Sequence, residues 1–469
     1  MSVTVYADEK NKKTILTLLE EMGYTLPCNC QGSHLCNGRR YSFDCAMIPK
    51  EPITVSLPKD SQKLHSVSLE QMTPVPGGGD TLLADLGTTS IALALIHRHT
   101  GELRQTIVFP NPQKKYGADV VSRIQSSIQG SRDILQKELI DSLTEYASAL
   151  CQRNHQAVSE ISHCFIAGNT TMIHLLLNYD CTPLSGSPFA IKEPQPEPFF
   201  YHQCRVQILP WISAFVGGDI TAGLYSCSMI SSKETSLLID LGTNGEMVLS
   251  HDGNLYAAAT AAGPAFEGNG LSCGCPAIPG AISRVALKRL RPALTTIENK
   301  LPLGICGSGA ISLAAEMLRH DYMTRDGLLT DKFPADGIFL GSTPDGSPLS
   351  FTAEDLRNVQ LSIAAVAAGI DTLTQAAAVS PDEVSHIYLG GGFGFYLNLD
   401  DCQTLGMFSS LIQERIQPMG NTCLKGLYQL AVSPDQSIPA PQVHAVNLAE
   451  SQYFQSRFIS HMTYERNPG

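Results

Sequence analysis

The chain has 469 residues, 43% of them hydrophobic and only 16% charged, with 32 Lys plus Arg against 44 Asp plus Glu for a net charge of -12. So few charges among so many apolar residues exclude a disordered chain, and this length implies about three domains. There is no long basic run, so a nucleic-acid surface is not expected, and the acidic balance serves solubility.

The first sixty residues read as a small α+β unit. Val3 to Tyr6 and Ile53 to Leu57 alternate like strands, and Lys13 to Met22 has helical spacing with Gly23 as its stop. The start shows no basic segment leading into an apolar core, so no signal peptide is expected. The most membrane-like stretch, Leu361 to Ala378, is interrupted by Asp371, Thr374 and Gln375 and reads as a packed Ala-rich helix, leaving no membrane partner. A cytoplasmic location is therefore expected. There, clustered thiols point to metal or redox chemistry rather than disulfides. Of fourteen cysteines, four fall together: Cys28, Cys30, Cys36 and Cys45. Four soft thiolates in a loop that also contains Gly32 and Gly38 suit an iron–sulfur cluster, 2Fe–2S by preference. Zinc and an unmetallated loop are the alternatives. Their spacing is not the plant-type ferredoxin pattern. A polar stretch ending at Pro74 to Gly79 is a linker by composition.

Beyond it the chain reads α/β, and one feature recurs. Thr81 to Thr89 is an apolar strand running into Asp85-Leu86-Gly87-Thr88-Thr89, and Ser236 to Asn244 repeats it with Asp240-Leu241-Gly242-Thr243-Asn244. A second apolar strand follows each. Two like units one domain-length apart indicate a duplicated fold, with the segments placed at 1–60, a linker at 61–79, and lobes at 80–232 and 233–469. In such a turn Gly lets a ligand approach the backbone, amides and hydroxyls donate to phosphate oxygens, and an Asp at the strand end holds Mg²⁺ through water. A plain tight turn is the alternative for one copy and a poor account of two. Three further glycine clusters follow a strand or open a helix: Gly217-Gly218-Asp219, Gly307-Ser308-Gly309 and Gly390-Gly391-Gly392.

The order of these motifs resembles the superfamily of acetate and sugar kinases, heat-shock chaperones and actin, which bind ATP between two ribonuclease-H-like lobes. The resemblance implies an α/β fold of two such lobes after a small ferredoxin-like, β-grasp domain. It implies phosphate loops at Asp85 to Thr89 and Asp240 to Asn244, and an adenosine motif at Gly390 to Gly392. Tyr116 to Ile124, Ala167 to Met172, Ala262 to Gly268, Ser272-Cys273-Gly274 and Gly420-Asn421 narrow it. Over roughly residues 80 to 465 the chain is similar to the ATP-dependent reductive activators of corrinoid proteins. Those activators return Co(II) corrinoid to Co(I) with one electron, and many carry an N-terminal iron–sulfur domain fed by an external donor.

The resemblance implies ATP, Mg²⁺ and an iron–sulfur cluster as cofactors, with a corrinoid protein or another low-potential metalloprotein as partner. An acid must orient the attacking water: Asp219 first, Glu246 second, Glu267 third. Where the family reads Gln-x-Ala-Lys-Ala, this chain has Ile363 in place of the Lys. A small-molecule kinase and a nucleotide-dependent switch without redox activity remain as rival readings.

Overall fold

Both apolar runs that end in an Asp-Leu-Gly-Thr turn are strands at the centre of a six-stranded sheet. The structure is a computed structural model that describes residues 2–5, 15, 35–36, 39–40, 53–56 and 80–464, apart from 98–99, 194, 231, 243, 289–291, 392–396, 409–410, 412 and 434–440. It divides into two units, Met1–Leu209 with Leu427–Ile438 and Pro210–Gly426 with Pro439–Gly469.

In the first unit, β1 (Ser2–Val5) and β4 (Ile53–Ser56) pair antiparallel with Val3 opposite Val55. Both strands are where their alternation predicts them. Between them β2 (Leu35–Cys36) pairs with β3 (Arg39–Arg40). The expected helix at Lys13 to Met22 lies, except for Ile15, outside the described residues, and so do Cys28, Cys30, Cys45 and the side chain of Cys36.

The main sheet of this unit follows. β5 (Asp80–Leu86), β6 (Ser90–His97) and β7 (Glu102–Pro110) form an antiparallel meander, and β8 (Ile161–Gly168) lies parallel to β5. β9 (Phe199–Tyr201) and β10 (Cys204–Ile208) complete the order β7-β6-β5-β8-β10-β9. The near-continuous apolar reading of β5, buried except at Asp85, is what a strand covered on both faces requires. Three helices accompany it: α1 (Val120–Ser126), α2 (Arg132–Arg153) and α3 (Thr170–Leu177). Asp119 and Ser122 form a reciprocal cap on α1, and Asn169 caps α3 by accepting from the Met172 amide.

The second unit repeats the plan. After α4 (Gly218–Ser226), β11 (Ser236–Leu241), β12 (Gly245–His251) and β13 (Asn254–Thr260) form the meander. Inserted next are a three-stranded sheet, β14 (Ala281–Leu287), β15 (Pro292–Thr296) and β16 (Gly304–Ile305), then α5 (Gly307–Arg319) and the hairpin β17 (Ile338–Ser342) and β18 (Pro348–Phe351). After α6 (Ala353–Ala376), β19 (His386–Gly390) lies parallel to β11. α7 (Leu399–Thr404), β20 (Ile416–Gly420), α8 (Thr422–Val432), β21 (Val443–Ala445) and α9 (Gln452–Ser460) end the chain. The order is β20-β19-β11-β12-β13-β21. Meander, then two strands parallel to its first member, is thus the plan of both sheets.

α6 covers the second sheet with Ile363, Val366, Ile370 and Leu373, spaced three and four apart, in one core with Met247, Leu249 and Ala258. This is the helix that includes most of the apolar stretch Leu361 to Ala378. Among the described residues no helix is long and apolar enough to cross a membrane.

Candidate functional site

The first turn is built by a cage of polar side chains drawn from three distant elements. The chain reverses at Gly87, where a Cβ would stand 2.5 Å from the Ser90 carbonyl oxygen, so only glycine fits. Asn111 Nδ2 donates to the Gly87 carbonyl at 2.8 Å, and its backbone amide donates to the Thr89 carbonyl at 3.0 Å. Arg123 Nη2 donates to the Thr88 carbonyl at 2.7 Å and Nε to Gly117 at 3.0 Å. Asn169 Nδ2 donates to Thr88 Oγ1 at 2.9 Å. With the three turn carbonyls occupied, what the turn has left to offer a ligand is donors. Arg123 is wholly enclosed, and burial brings its guanidinium down to about 10, partly opposed by the charge of Asp119. It is still a cation at neutral pH. Asp85, half-buried at the end of β5, lies level with Ala167 of β8.

The second turn gathers acids. Asp240 ends β11 in the position Asp85 holds in β5, and its Oδ2 accepts from Thr422 Oγ1 at 3.2 Å. Gly390 sits level with Asp240 on β19, and a Cβ there would be 2.9 Å from that same carboxylate oxygen. Gly391 has φ of +86°, and a Cβ on it would meet Asp240 Oδ1 at 3.0 Å and the Leu241 carbonyl oxygen at 2.5 Å. These two glycines therefore make the space in which the carboxylate lies.

On the other side Glu246 of β12 is in register with Asp240. Asn244 Nδ2 donates to Glu246 Oε1 at 3.4 Å, and the Gly242 amide donates to the Asn244 carbonyl at 2.9 Å. Although Glu246 as a residue is only half-buried, its carboxyl is pushed well above the usual glutamate range, first by desolvation and then by the negative charges of Asp219 and Asp240. Asp219, in the first turn of α4, accepts from the Ile220 amide at 2.9 Å. Glu267 Oε1 lies 3.7 Å from where a Cβ on Gly242 would stand. The three acids nominated from sequence are thus brought to the Asp240 turn. Among the described residues no group of three or more His, Cys, Asp or Glu converges closely enough to hold a metal ion directly.

Two matches with known families fall on these two turns. The RACo middle region matches residues 81–232, and the C-terminal domain of RACo, the ASKHA domain, matches residues 234–468. The chain belongs to the RACo family. A curated relative, the corrinoid activation enzyme RamQ of Eubacterium limosum, is 26% identical over 85% of this chain and 72% of its own. A second, the Co(II) methylated amine-specific corrinoid protein reductase of Methanosarcina barkeri, is 24% identical over 81% of this chain and 76% of its own. Among solved structures, a reductive activator for corrinoid, iron–sulfur protein superposes with a TM-score of 0.72 at 29% identity, covering 84% of this chain and 67% of that one. The actin-like ATPase fold expected from the motif order is therefore the fold of this RACo protein.

The remaining nominated residues separate into three groups. Thr243 and Gly392 lie outside the described residues. Gly307 and Gly309 open α5 against the protein's own backbone: a Cβ on either would stand 2.0 Å from the carbonyl oxygen of Phe266 or Ile282. Ser308 is buried, its Oγ 3.2 Å from Cys306 Sγ. Ile363, where relatives of the RACo type were expected to carry Lys, is buried in the core of the second unit. Sequence reading gave no role to Asn111, Arg123, Asn169 or Thr422, which hold the turns. Arg123 and Asn169 stand inside the RACo-like segments, and that was the available signal.

Proposed function

We propose that this chain is an ATP-dependent reductive activator that returns the Co(II) of a corrinoid protein to Co(I). One observation carries the reading: Asp85 and Asp240 occupy the same position in two sheets of the same strand plan, each at a turn that offers donors or gathers acids, in a chain of the RACo family. The names of both curated relatives and of the solved structure support the corrinoid partner.

The residues divide the work. Thr88 Oγ1 already accepts from Asn169, so its own hydroxyl proton is the one left to donate to a phosphate oxygen. Thr89, Thr243, Asn244 and the amide of Gly87 donate alongside it. Gly390 to Gly392 let adenosine lie against the backbone. Asp85 and Asp240 would each take Mg²⁺ through water, and the ion would supply neutralisation of phosphate charge. Asp219 and Glu246 orient the attacking water. A carboxyl held above its ordinary range takes up a proton near neutral pH more readily than a free glutamate does, which suits a base. Cys28, Cys30, Cys36 and Cys45 would hold a 2Fe–2S cluster, which would supply single-electron chemistry when bound, with an external donor as its source. The free energy of ATP binding and hydrolysis favours the state from which the uphill transfer occurs.

The test is an anaerobic mixture of the chain, a reductant and a Co(II) corrinoid protein, followed by its visible spectrum with and without ATP. Conversion to the Co(I) spectrum only with ATP is expected. Conversion at the same rate without ATP, or ATP turnover driven instead by a sugar or a carboxylic acid, overturns the reading.

A further inference from the structure

Cys275 and Cys306 are neighbours across a short parallel pairing that the proposed reaction does not use. The Ile305 amide donates to the Cys273 carbonyl at 2.8 Å, and the Cys275 amide donates to the Ile305 carbonyl at 2.9 Å. These bonds pair Gly274 with Ile305. The next residues along, Cys275 and Cys306, therefore stand side by side, both on the face opposite Ile305. Parallel neighbours are about 4.8 Å apart, inside the roughly 4.4–6.8 Å Cα separation that a disulfide spans. Both thiols belong to one small apolar cluster with Ala277, Ala281 and Ile297. Gly304 makes room for them: a Cβ there would stand 2.9 Å from Cys275 Sγ. The Cys275 thiol is pushed up to about 12, first by burial and then by the nearby Cys306 and Cys273.

The pair is asymmetric. Cys275 is half-buried, whereas Cys306 is only 1% exposed and donates to the Ile282 carbonyl at 3.3 Å. Cys273 instead packs in the large core of the second unit with Ile305, and its neighbour across the pairing is Gly304, which has no thiol.

We propose that Cys275 and Cys306 form an oxidisable dithiol whose oxidant is a low-molecular-weight disulfide, RS–SR. The Cys275 thiolate attacks one sulfur of the reagent, the S–S bond breaks, and RS⁻ leaves, giving a mixed disulfide. Cys306 turns from the Ile282 carbonyl, loses its proton, attacks the Cys275 sulfur and releases the second RS⁻. Two protein thiols lose two electrons, the reagent gains them as two thiols, and the two protons end there. The new bond ties the loop from Gly263 to Cys275, which carries Glu267, to the start of α5. Burial of both sulfurs makes the exchange slow, so brief exposure to oxidant leaves the pair reduced.

The test uses the full unaltered chain under anaerobic conditions, incubated with glutathione disulfide in mildly alkaline buffer. Free thiols are then alkylated, the chain is digested without reduction, and peptides are mapped by mass. A peptide joining Cys275 to Cys306, lost on reduction, is expected. In Cys306→Ser, glutathione should stay on Cys275, and in Cys273→Ser the Cys275–Cys306 link should persist. In the unaltered chain, a Cys273–Cys275 link, glutathione retained on Cys275, or an unmodified Cys275 would each overturn the proposal. Because the decisive mapping is made on the unaltered chain, it holds even where a substituted chain misfolds.

Discussion

Arg123 Nη2 donates to the carbonyl oxygen of Thr88 at 2.7 Å, joining α1 to the turn after β5. The same guanidinium reaches Gly117 through Nε, so one enclosed cation fixes two backbone segments. Arg123→Ala leaves two inward carbonyls without a donor, at about 1–3 kcal/mol each, and a measurable fall in thermal midpoint is expected. Arg123→Lys keeps the charge but cannot span both carbonyls. Its expected effect is a folded protein whose apparent ATP KM rises about tenfold with a smaller change in kcat, the equivalent of about 1.4 kcal/mol in binding. Steady-state ATP turnover checks it, and an unchanged KM would detach Arg123 from the turn's function.

Glu246 faces Asp240 across the β11–β12 pairing, and burial together with the charges of Asp219 and Asp240 raises its carboxyl. The sign of the linkage follows. A carboxyl raised in the folded state contributes stability that is fully present below the ordinary glutamate value of about 4.3, and this is lost as pH rises toward the folded value. Glu246→Gln should therefore stabilise the nucleotide-free protein at neutral pH and leave it unchanged in acid, while ATP turnover falls by about two orders of magnitude. Asp240→Asn should also abolish turnover and return Glu246 toward its ordinary range. Thermal melts at two pH values, with and without Mg²⁺, separate these effects. Mg²⁺ should raise the midpoint of the unaltered chain more than that of either variant.

The parts of this site that could be read from sequence are those made by neighbours in the chain. Asp85 and Asp240 each end an apolar strand, and the turn that follows is local, so both appear as a repeated pattern. The strand–turn–strand start of each sheet was legible for the same reason, because β5 and β11 are buried almost throughout and read as near-continuous apolar runs. Arg123 and Thr88 are 35 positions apart, Asn169 and Thr88 are 81, and Thr422 and Asp240 are 182. No periodicity links such pairs, since folding alone brings them together. The glycines of α5 show the converse. Gly307 and Gly309 read as a ligand cradle, and their glycine identity is accounted for by the carbonyls of Phe266 and Ile282.

Gly391 tests how closely the turn is fitted round Asp240. Its φ of +86° already disfavours a side chain, and the added Cβ would approach the Leu241 carbonyl oxygen to 2.5 Å. Gly391→Ala should cost about 1–2 kcal/mol from backbone conformation alone, with the contact adding to it. Because the displaced group would be the Asp240 carboxylate or its strand, ATP affinity should fall as well. Equilibrium nucleotide binding is the measurement, with chemical denaturation alongside. A destabilised variant of unaltered affinity would separate Gly391 from the nucleotide.

Asp371 of α6 holds the last helix. Arg457 Nε donates to its Oδ2 at 2.7 Å, and His461 Nε2 lies 2.7 Å from the same oxygen. Burial alone would raise this carboxyl, but His461 and Arg457 outweigh it and hold it below the usual aspartate range. The stability it contributes is present above the ordinary value of about 3.9 and is lost as pH falls through the lowered folded value. Asp371→Asn should therefore cost about 3 kcal/mol at neutral pH, since one member of a buried pair is removed. The gap between the two chains should close as the pH falls below about 4. Denaturant melts across that range check the sign, and a gap that widens in acid would contradict it.

The electron path and the ATP site are separable experimentally, because the proposed cluster ligands and the phosphate turns are far apart in sequence. Changing Cys28, Cys30, Cys36 and Cys45 together to Ser should remove iron and visible absorbance from anaerobically purified protein. Co(II) reduction by the chain's own cluster should then vanish, while basal ATP turnover stays within about twofold, since Asp85, Asp240 and their supports are untouched. Asp85→Asn should do the reverse, keeping iron and colour but losing turnover. Iron content, absorbance and phosphate release on the same preparations supply the comparison. An unaltered chain that carries no iron even after anaerobic reconstitution would leave the ATPase assignment standing and remove the cluster as donor, so the electron would have to arrive from a separate protein.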